Sequence, residues 1–194
     1  MNTQNQQEES IIEQIAAHYR EILKLVGENP EREGLIKTPM RAAKALYYIT
    51  SGYRQDSMEI ARKAVFEHAG SRIVIVKNIE FYSMCEHHIL PFFGHVSVGY
   101  IPKGKMIGLS KIGRIVGNFA RRLQVQERLT AQVCDLLSNA LPNDGVIVTC
   151  TAEHLCMKMR GVESQDSETT TFDYNGRFAT EPELRDEFLR LLKV

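Results

Sequence analysis

From Ser10 onward the apolar residues fall at helical intervals, at Ile11, Ile12, Ile15, Tyr19, Ile22, Leu23 and Val26, and Gly27 with Asn29-Pro30 stops the run. That spacing predicts one amphipathic helix behind a flexible polar tail over 1–9. Thr38-Pro39 offers a cap followed by a first-turn proline, so a second helix is predicted through Met40, Ala43, Leu46 and Tyr47, ending near Gly52. A third, shorter helix is predicted from Ser57 to Phe66. At Ser71 the period becomes alternating, and a long strand is predicted to run toward Cys85. His95 to Pro102 makes a second strand, with Lys103-Gly104 as a hairpin turn returning through Met106 to Leu109. Ser110 then caps a helix to Arg122, and Gln126 to Leu141 forms another. The run Pro142-Asn143-Asp144-Gly145 is a turn signal. The strand after it is expected to extend from Val146 to Arg160, followed by a strand over Thr169 to Phe172 and a helix from Pro182 to Leu192.

Helices, two strands, two helices, two strands and a last helix define an α+β protein. The expected architecture is an antiparallel four-stranded sheet with helices on one face. Its divisions are a tail over 1–9, an N-terminal helical region over 10–68 and a sheet-bearing catalytic domain over 69–194. One sheet face and both edges would be left open, so an oligomer whose sheet continues across subunits is expected.

Composition narrows the partners. The 194 residues suffice for a proper core, and 24 basic against 24 acidic residues give zero formal net charge. No global field favours nucleic acid or a membrane surface, so an anionic ligand must be bound by local cations. No apolar run approaches the ~20 residues of a membrane span, and the start MNTQNQQEES is polar and acidic. The expected location is the cytoplasm, where four cysteines are more naturally thiols or metal ligands than disulfides.

The stretch SMCEHHILP gathers one cysteine, one carboxylate and two histidines between apolar runs. Cys85 and His88 stand three apart, so a tight turn lets one cation touch both. His154 and Cys156 form a second pair, and on a regular strand two residues so spaced point the same way. Taken singly, each cysteine is more often a buried apolar residue and each histidine a satisfied core group. Together they match three protein ligands with an open fourth position, the pattern of a catalytic zinc. Cys85, His88 and Cys156 are taken as the ligands and His87 and His154 as proton-transfer groups, although spacing alone allows either histidine as the third ligand. Cys150 would lie roughly 20 Å from Cys156 at about 3.3 Å per residue, and Cys134 reads as core. Basic residues form a second constellation: Lys111 and Arg114 after Ser110, Arg160 beyond Cys156, and Arg41 with Lys44 at the start of the second helix. For any single pair a solvated helix face is the commoner explanation. Gln126-Glu127 opens a helix, and a carboxylate there can be a plain dipole partner or can accept two hydrogen bonds from adjacent ring and amine N–H groups.

The motifs SMCEHHILPFFGHVSVGYIP, IGLSKIGRIV, RRLQVQERLT, HLCMKMRGV and EGLIKTPMRAAKAL resemble GTP cyclohydrolase I, from about Gly34 to the C-terminus. The resemblance implies the tunnelling fold and a toroidal homodecamer of two pentamers with active sites at subunit interfaces. It implies hydrolysis and rearrangement of GTP to 7,8-dihydroneopterin triphosphate with release of formate, at the start of folate or related pterin biosynthesis. It also implies Zn2+ on Cys85, His88 and Cys156, with His87 and His154 as catalytic non-ligands. Gln126 and Glu127 would hold the purine, and Ser110, Lys111, Arg114 and Arg160 would face ribose and triphosphate. Arg41 and Lys44 would reach in from a neighbour. Two rivals carry less weight: a reductase on the same fold, which leaves the His154–Cys156 pair unexplained, and a non-enzymatic zinc-stabilised nucleotide-binding module, which needs a closed four-ligand site.

Overall fold

The computed structural model describes residues 3–67 and 72–193. The expected strand onset at Ser71 and the division between 68 and 69 fall outside the described residues. Two compact units divide the chain, Met1–Ser51 and Gly52–Val194.

The first unit pairs α1 (Thr3–Leu25) with α2 (Thr38–Ile49). Helix α1 starts seven residues before Ser10, because the glutamines and glutamates of its first turns favour helix without needing a buried face. The unit closes over Ile12, Ala16 and Ala43, flanked by Ile15, Tyr19 and Tyr47. Pro39 occupies the first turn of α2 as expected, but Lys37 is the cap residue and makes no side-chain cap, while the Thr38 hydroxyl donates to the Gly34 carbonyl at 3.3 Å.

A short 3-10 turn, Ser51–Arg54, spans the boundary in sequence, and the second unit continues with α3 (Ser57–Arg62), capped by Asp56, whose carboxylate accepts from the Met58 and Glu59 amides. Helix α3 stops at Arg62 rather than Phe66. The β-prone Val65–Glu67 (β1) instead pairs antiparallel with Lys105–Ile107 (β4), which makes a separate two-stranded sheet. The Lys103-Gly104 bend therefore does not return its chain onto the preceding strand.

The main sheet has five strands in the order β5-β2-β3-β6-β7, formed by Leu123–Gln124, Val74–Cys85, Pro91–Pro102, Asn143–His154 and Thr169–Tyr174. Four are antiparallel, as expected. The fifth, β5, adds a two-residue parallel edge beside Met84 and Cys85. Helices α4 (Leu109–Ala120) and α5 (Gln126–Ala140) cover one face. There Phe81, Phe92, Val96, Val98, Val146 and Val148 meet Ile112, Ile115, Val116, Leu129, Val133 and Leu137. Gly108, not Ser110, caps α4, and Ser110 lies in its first turn.

Helices are not confined to that face. After α7 (Arg177–Thr180), α8 (Pro182–Leu192) crosses one end of the other face, where Phe178 and Phe188 join Ile101 and Ile147 in a second core. Gly99 makes this approach possible, since a Cβ there would meet the Phe188 ring at 2.8 Å.

Two irregularities set which residues face the helices. In β2, Lys77 and Asn78 together oppose Ser97, so Val76 pairs with Val98 but Ile79 with Val96. Asn78 takes φ 55° and donates its amide to Ser97 Oγ at 3.2 Å. This bulge turns the second half of β2 by one residue, so that Val74 and Val76 before it and Ile79, Phe81 and Cys85 after it share the α4/α5 face. At the start of β6 the expected turn is taken up by the strand: Asn143 pairs with Pro102, Gly145 with Ile101, and Asp144 is the extra residue.

Truncating Phe188 to alanine should cost about 3–5 kcal/mol of unfolding free energy, because it empties the second core. Urea unfolding of the purified protein measures it, and a loss below about 1 kcal/mol would show that α8 is not anchored there.

Candidate metal centre and cleft

Cys85 ends β2 and is buried. The chain then folds tightly back: the Cys85 amide donates to the Leu90 carbonyl and the Ile89 amide to the Cys85 carbonyl, both at 2.8 Å. Ile89 pays for this turn with φ 53°, a left-handed conformation costing a β-branched residue about 1–2 kcal/mol. The turn places His88 Nδ1 3.7 Å from Cys85 Sγ and His87 Nδ1 3.9 Å away.

Strand β6 does not run on to Arg160. It ends at His154, and Leu155–Lys158 forms a single helical turn, α6. The same-face spacing expected for His154 and Cys156 therefore does not apply; the helical turn is what carries Cys156 over to Cys85. Ligand atoms of Cys85, His88 and Cys156 all lie within 4.8 Å of one another. Around a tetrahedral ion with bonds of ~2.3 Å to sulfur and ~2.0 Å to nitrogen, ligand atoms stand about 3.5 Å apart, so the donor set fits a borderline-soft cation. Burial, then the neighbouring Cys85, raises the Cys156 thiol, while Arg160 acts in the opposite direction. Two thiols side by side resist ionising together, and a bound cation removes that resistance. Cys134 and Cys150 are buried in the core, each pushed up to about 12 chiefly by burial, and stay apart from the cluster.

Beside the cluster an open cleft of about 230 Å³ is walled by Cys85, His87, Gln124, Gln126, Glu127, His154, Cys156 and Thr169, with Val125 and Met157. His154 lies flat on Phe92, its cross-strand partner, with ring centroids 4.7 Å apart and planes 3° from parallel. Burial lowers its pKa and Glu127 partly restores it, so a neutral, proton-accepting imidazole is favoured. Gln126 is buried and reaches His154 Nε2 at 2.8 Å, whereas Glu127 is exposed at the rim.

The cations are distributed differently. Arg160 Nη1 lies 3.2 Å from His88 Nε2 at the cluster. Ser110 and Arg114 line a second cleft of about 400 Å³ with Gln55, Ile60, Gly113, Gly117, Asn118 and Arg121, and it shares no residue with the first. Lys111 lies in the first turn of the same helix. Arg41 and Lys44 are exposed on α2, where Lys44 lines a cleft with Glu9 and Glu13 of its own unit.

Two participants escaped the sequence reading. Phe92, which seats His154, looked like an ordinary strand residue. Arg128 grips Glu86 with two N–H groups at 2.5 and 3.0 Å, clamping the metal turn to α5 and holding the Glu86 carboxyl below its usual range. The only available signal was an arginine following Gln126-Glu127 and an unassigned carboxylate inside the cysteine–histidine cluster.

Two thiols and an imidazole converging beside a histidine and a carboxylate in an open cleft are compatible with a metal-dependent enzyme site with room for substrate. The chain belongs to the GTP cyclohydrolase I family, whose model matches residues 15–193. It is 53% identical over 186 residues to a GTP cyclohydrolase 1 of Porphyromonas gingivalis, covering 96% of each chain. It is 57% identical over 171 residues to one of Chlorobaculum tepidum, covering 88% of this chain and 76% of that one. With one of Bacteroides fragilis it shares 50% over 182 residues, covering 94% and 93%. Among solved structures, an archaeosine synthase QueF-Like in the apo form matches with TM-score 0.45 and 20% identity, over 56% of this chain and 97% of that one.

Loading zinc into metal-free protein near pH 7 should release about two protons, one from each thiol. Cys156→Ser should release about one and bind far more weakly, while His154→Ala should keep the metal. Proton release at constant pH and competition with a coloured chelator read both, and loss of metal from the His154 variant would overturn the division of roles.

Proposed function

We propose that the protein converts GTP to 7,8-dihydroneopterin triphosphate and formate in the cleft beside Cys85, His88 and Cys156. Membership of the GTP cyclohydrolase I family supplies the activity. The observation that carries the assignment to this cleft is the convergence of two thiols and an imidazole within 4.8 Å, next to His154 and Glu127. The same-fold reductase and the non-enzymatic module have no comparable support.

Cys85, His88 and Cys156 would hold zinc, which supplies Lewis acidity and a water made acidic down to about pH 7. The rest falls to the chain's own groups. His154, neutral and fixed on Phe92, takes and returns a proton as the imidazole ring opens at C8, and His87 serves the second transfer. Glu127 at the rim accepts from the guanine N1–H and the exocyclic amine, which sets the base and its orientation. Arg160 is well placed for phosphate. If His88 coordinates through Nδ1, its proton sits on Nε2, which can no longer accept from Arg160, and the guanidinium is released toward an anion.

Ser110, Lys111 and Arg114 fit ribose and triphosphate, yet Ser110 and Arg114 line a different cleft of the same chain. A second copy supplying them, and a further copy supplying Arg41 and Lys44, would complete the site in a closed ring, with the decamer of two pentamers as the proposed form. The edge strand β7, paired among the described residues only to β6, offers a place for a sheet to continue. Among the described residues no helix is long and apolar enough to cross a membrane. The cytoplasm is the proposed location, since a thiol pair awaiting metal survives in a reducing compartment.

GTP should yield formate and pterin fluorescence, while ATP should be a very poor substrate, because adenine presents an acceptor where Glu127 needs a donor. Glu127→Gln should cut kcat/KM for GTP by on the order of 10²-fold. Comparable turnover of ATP and GTP by the unaltered protein would remove Glu127 from this role.

Mixing tests the shared site. Arg41→Ala and His154→Ala should each be nearly inactive, and hetero-oligomers assembled from both should regain activity, because some clefts then combine intact residues from different chains. Verified mixing without recovery would leave Arg41 and Lys44 as a solvated helix face.

A further inference from the structure

Gln126 is only 1% exposed and, unlike the equally buried Gln124 of the same cleft wall, it is bonded to His154. Its side-chain nitrogen donates to the Cys150 carbonyl and to the Thr169 carbonyl, each at 2.9 Å, and lies 3.2 Å from Thr171 Oγ1. A carbonyl only accepts, so these contacts settle which end of the amide is nitrogen. The other end, Oε1, stands 2.8 Å from His154 Nε2. An amide oxygen cannot donate, so the hydrogen in that bond belongs to His154 Nε2. In the neutral imidazole the lone pair then resides on Nδ1. Stacking on Phe92 fixes the plane of the ring and the bond to Gln126 fixes its rotation within that plane. Both N–H groups of the Gln126 amide and one lone pair of its Oε1 are engaged inside the chain, which leaves it no donor to offer a purine.

We propose that Gln126 is a positioning residue: it holds His154 in the Nε2–H tautomer, so that Nδ1 is the atom through which His154 takes and returns the proton of ring opening. Nε2–H stays bonded to Gln126 throughout; one proton arrives at Nδ1 from the attacking water and one leaves Nδ1 for the departing ring nitrogen, so the imidazole ends as it began. This rests on His154 being the proton-transfer group, and it replaces the role of purine contact for the Gln126 side chain.

The test uses the full-length, zinc-loaded protein. Gln126→Met should lower kcat by on the order of 10²-fold while leaving KM for GTP within about twofold and zinc content intact. A raised KM with kcat preserved would make Gln126 a substrate contact and overturn the proposal. Should the Met variant not fold, the unaltered protein still decides: with histidine-selective 15N labelling, and the His154 signals assigned by their loss in His154→Asn, a protonated Nε2 with an unprotonated Nδ1 supports the proposal, and the opposite tautomer overturns it. Failure of the underlying role shows separately, as a His154→Ala protein that still releases formate from GTP.

Discussion

Side-chain alternation in a β-sheet has a period of two, and one extra residue reverses it. The site depends on such a reversal. Without the Lys77–Asn78 bulge, a strand that presents Val74 and Val76 to the helices would present Met84, and Cys85 would point to the opposite face, away from β6's His154. The bulge has its own support: Asn is among the few residues that tolerate φ 55°, and the Ser97 hydroxyl accepts the amide that the irregularity would leave unpaired. Lys77, the other bulge residue, donates to the Leu191 carbonyl at 3.3 Å, so the same kink also fastens the end of α8.

Given that alternation, the start of α5 becomes the junction of the site. Three consecutive residues serve three parts of it. Gln126 joins His154 to the strands β6 and β7, Glu127 stands at the rim of the cleft, and Arg128 clamps Glu86 in the metal turn. A helix sends successive side chains about 100° apart, which is how neighbours in sequence reach a strand end, open solvent and a loop. Leu129 and Val133, buried behind them, fix the helix against the sheet, so the positions of all three polar residues are set by apolar packing.

What the sequence disclosed follows from which signals are local. Helix α8 lies where its periodicity put it, since Pro182 and an amphipathic run state both its start and its buried face. The convergence of Cys85, His88 and Cys156 was legible because soft ligands are rare and clustered. The route by which they meet was not: the run from Val146 looked continuous to Arg160, and nothing local says that Leu155 to Lys158 closes a helical turn instead. Pro142-Asn143-Asp144-Gly145 has turn chemistry, but Pro102 and Ile101 recruit Asn143 and Gly145 into the sheet and leave Asp144 as a bulge near Lys103. Likewise Val65–Glu67 reads as the end of a helix until a partner strand 40 residues later, Lys105–Ile107, makes pairing the better use of β-branched and aromatic side chains. Tertiary partners decided each of these, and a single sequence does not display them.

The distribution of charge, more than the fold, is what favours the proposed oligomer. The walls of the cleft beside Cys85 contain a glutamate and two histidines, and none of the residues forming them is lysine or arginine. A nucleoside triphosphate carries several negative charges, and bringing them past Glu127 without cations would cost more than the base contacts return. The cations lie elsewhere in the unit, on the outer stripe of α4, where the inward residues Ile112, Ile115, Val116 and Phe119 leave Ser110, Arg114 and Arg121 to face outward along a second cleft. Keeping the two apart avoids crowding cations beside Arg160 before substrate arrives, and a symmetric oligomer can bring one chain's α4 stripe to another chain's metal cleft without any change in either fold. In the proposed oligomer neither cleft would be a complete site by itself, and the triphosphate would be the charge that makes their apposition favourable.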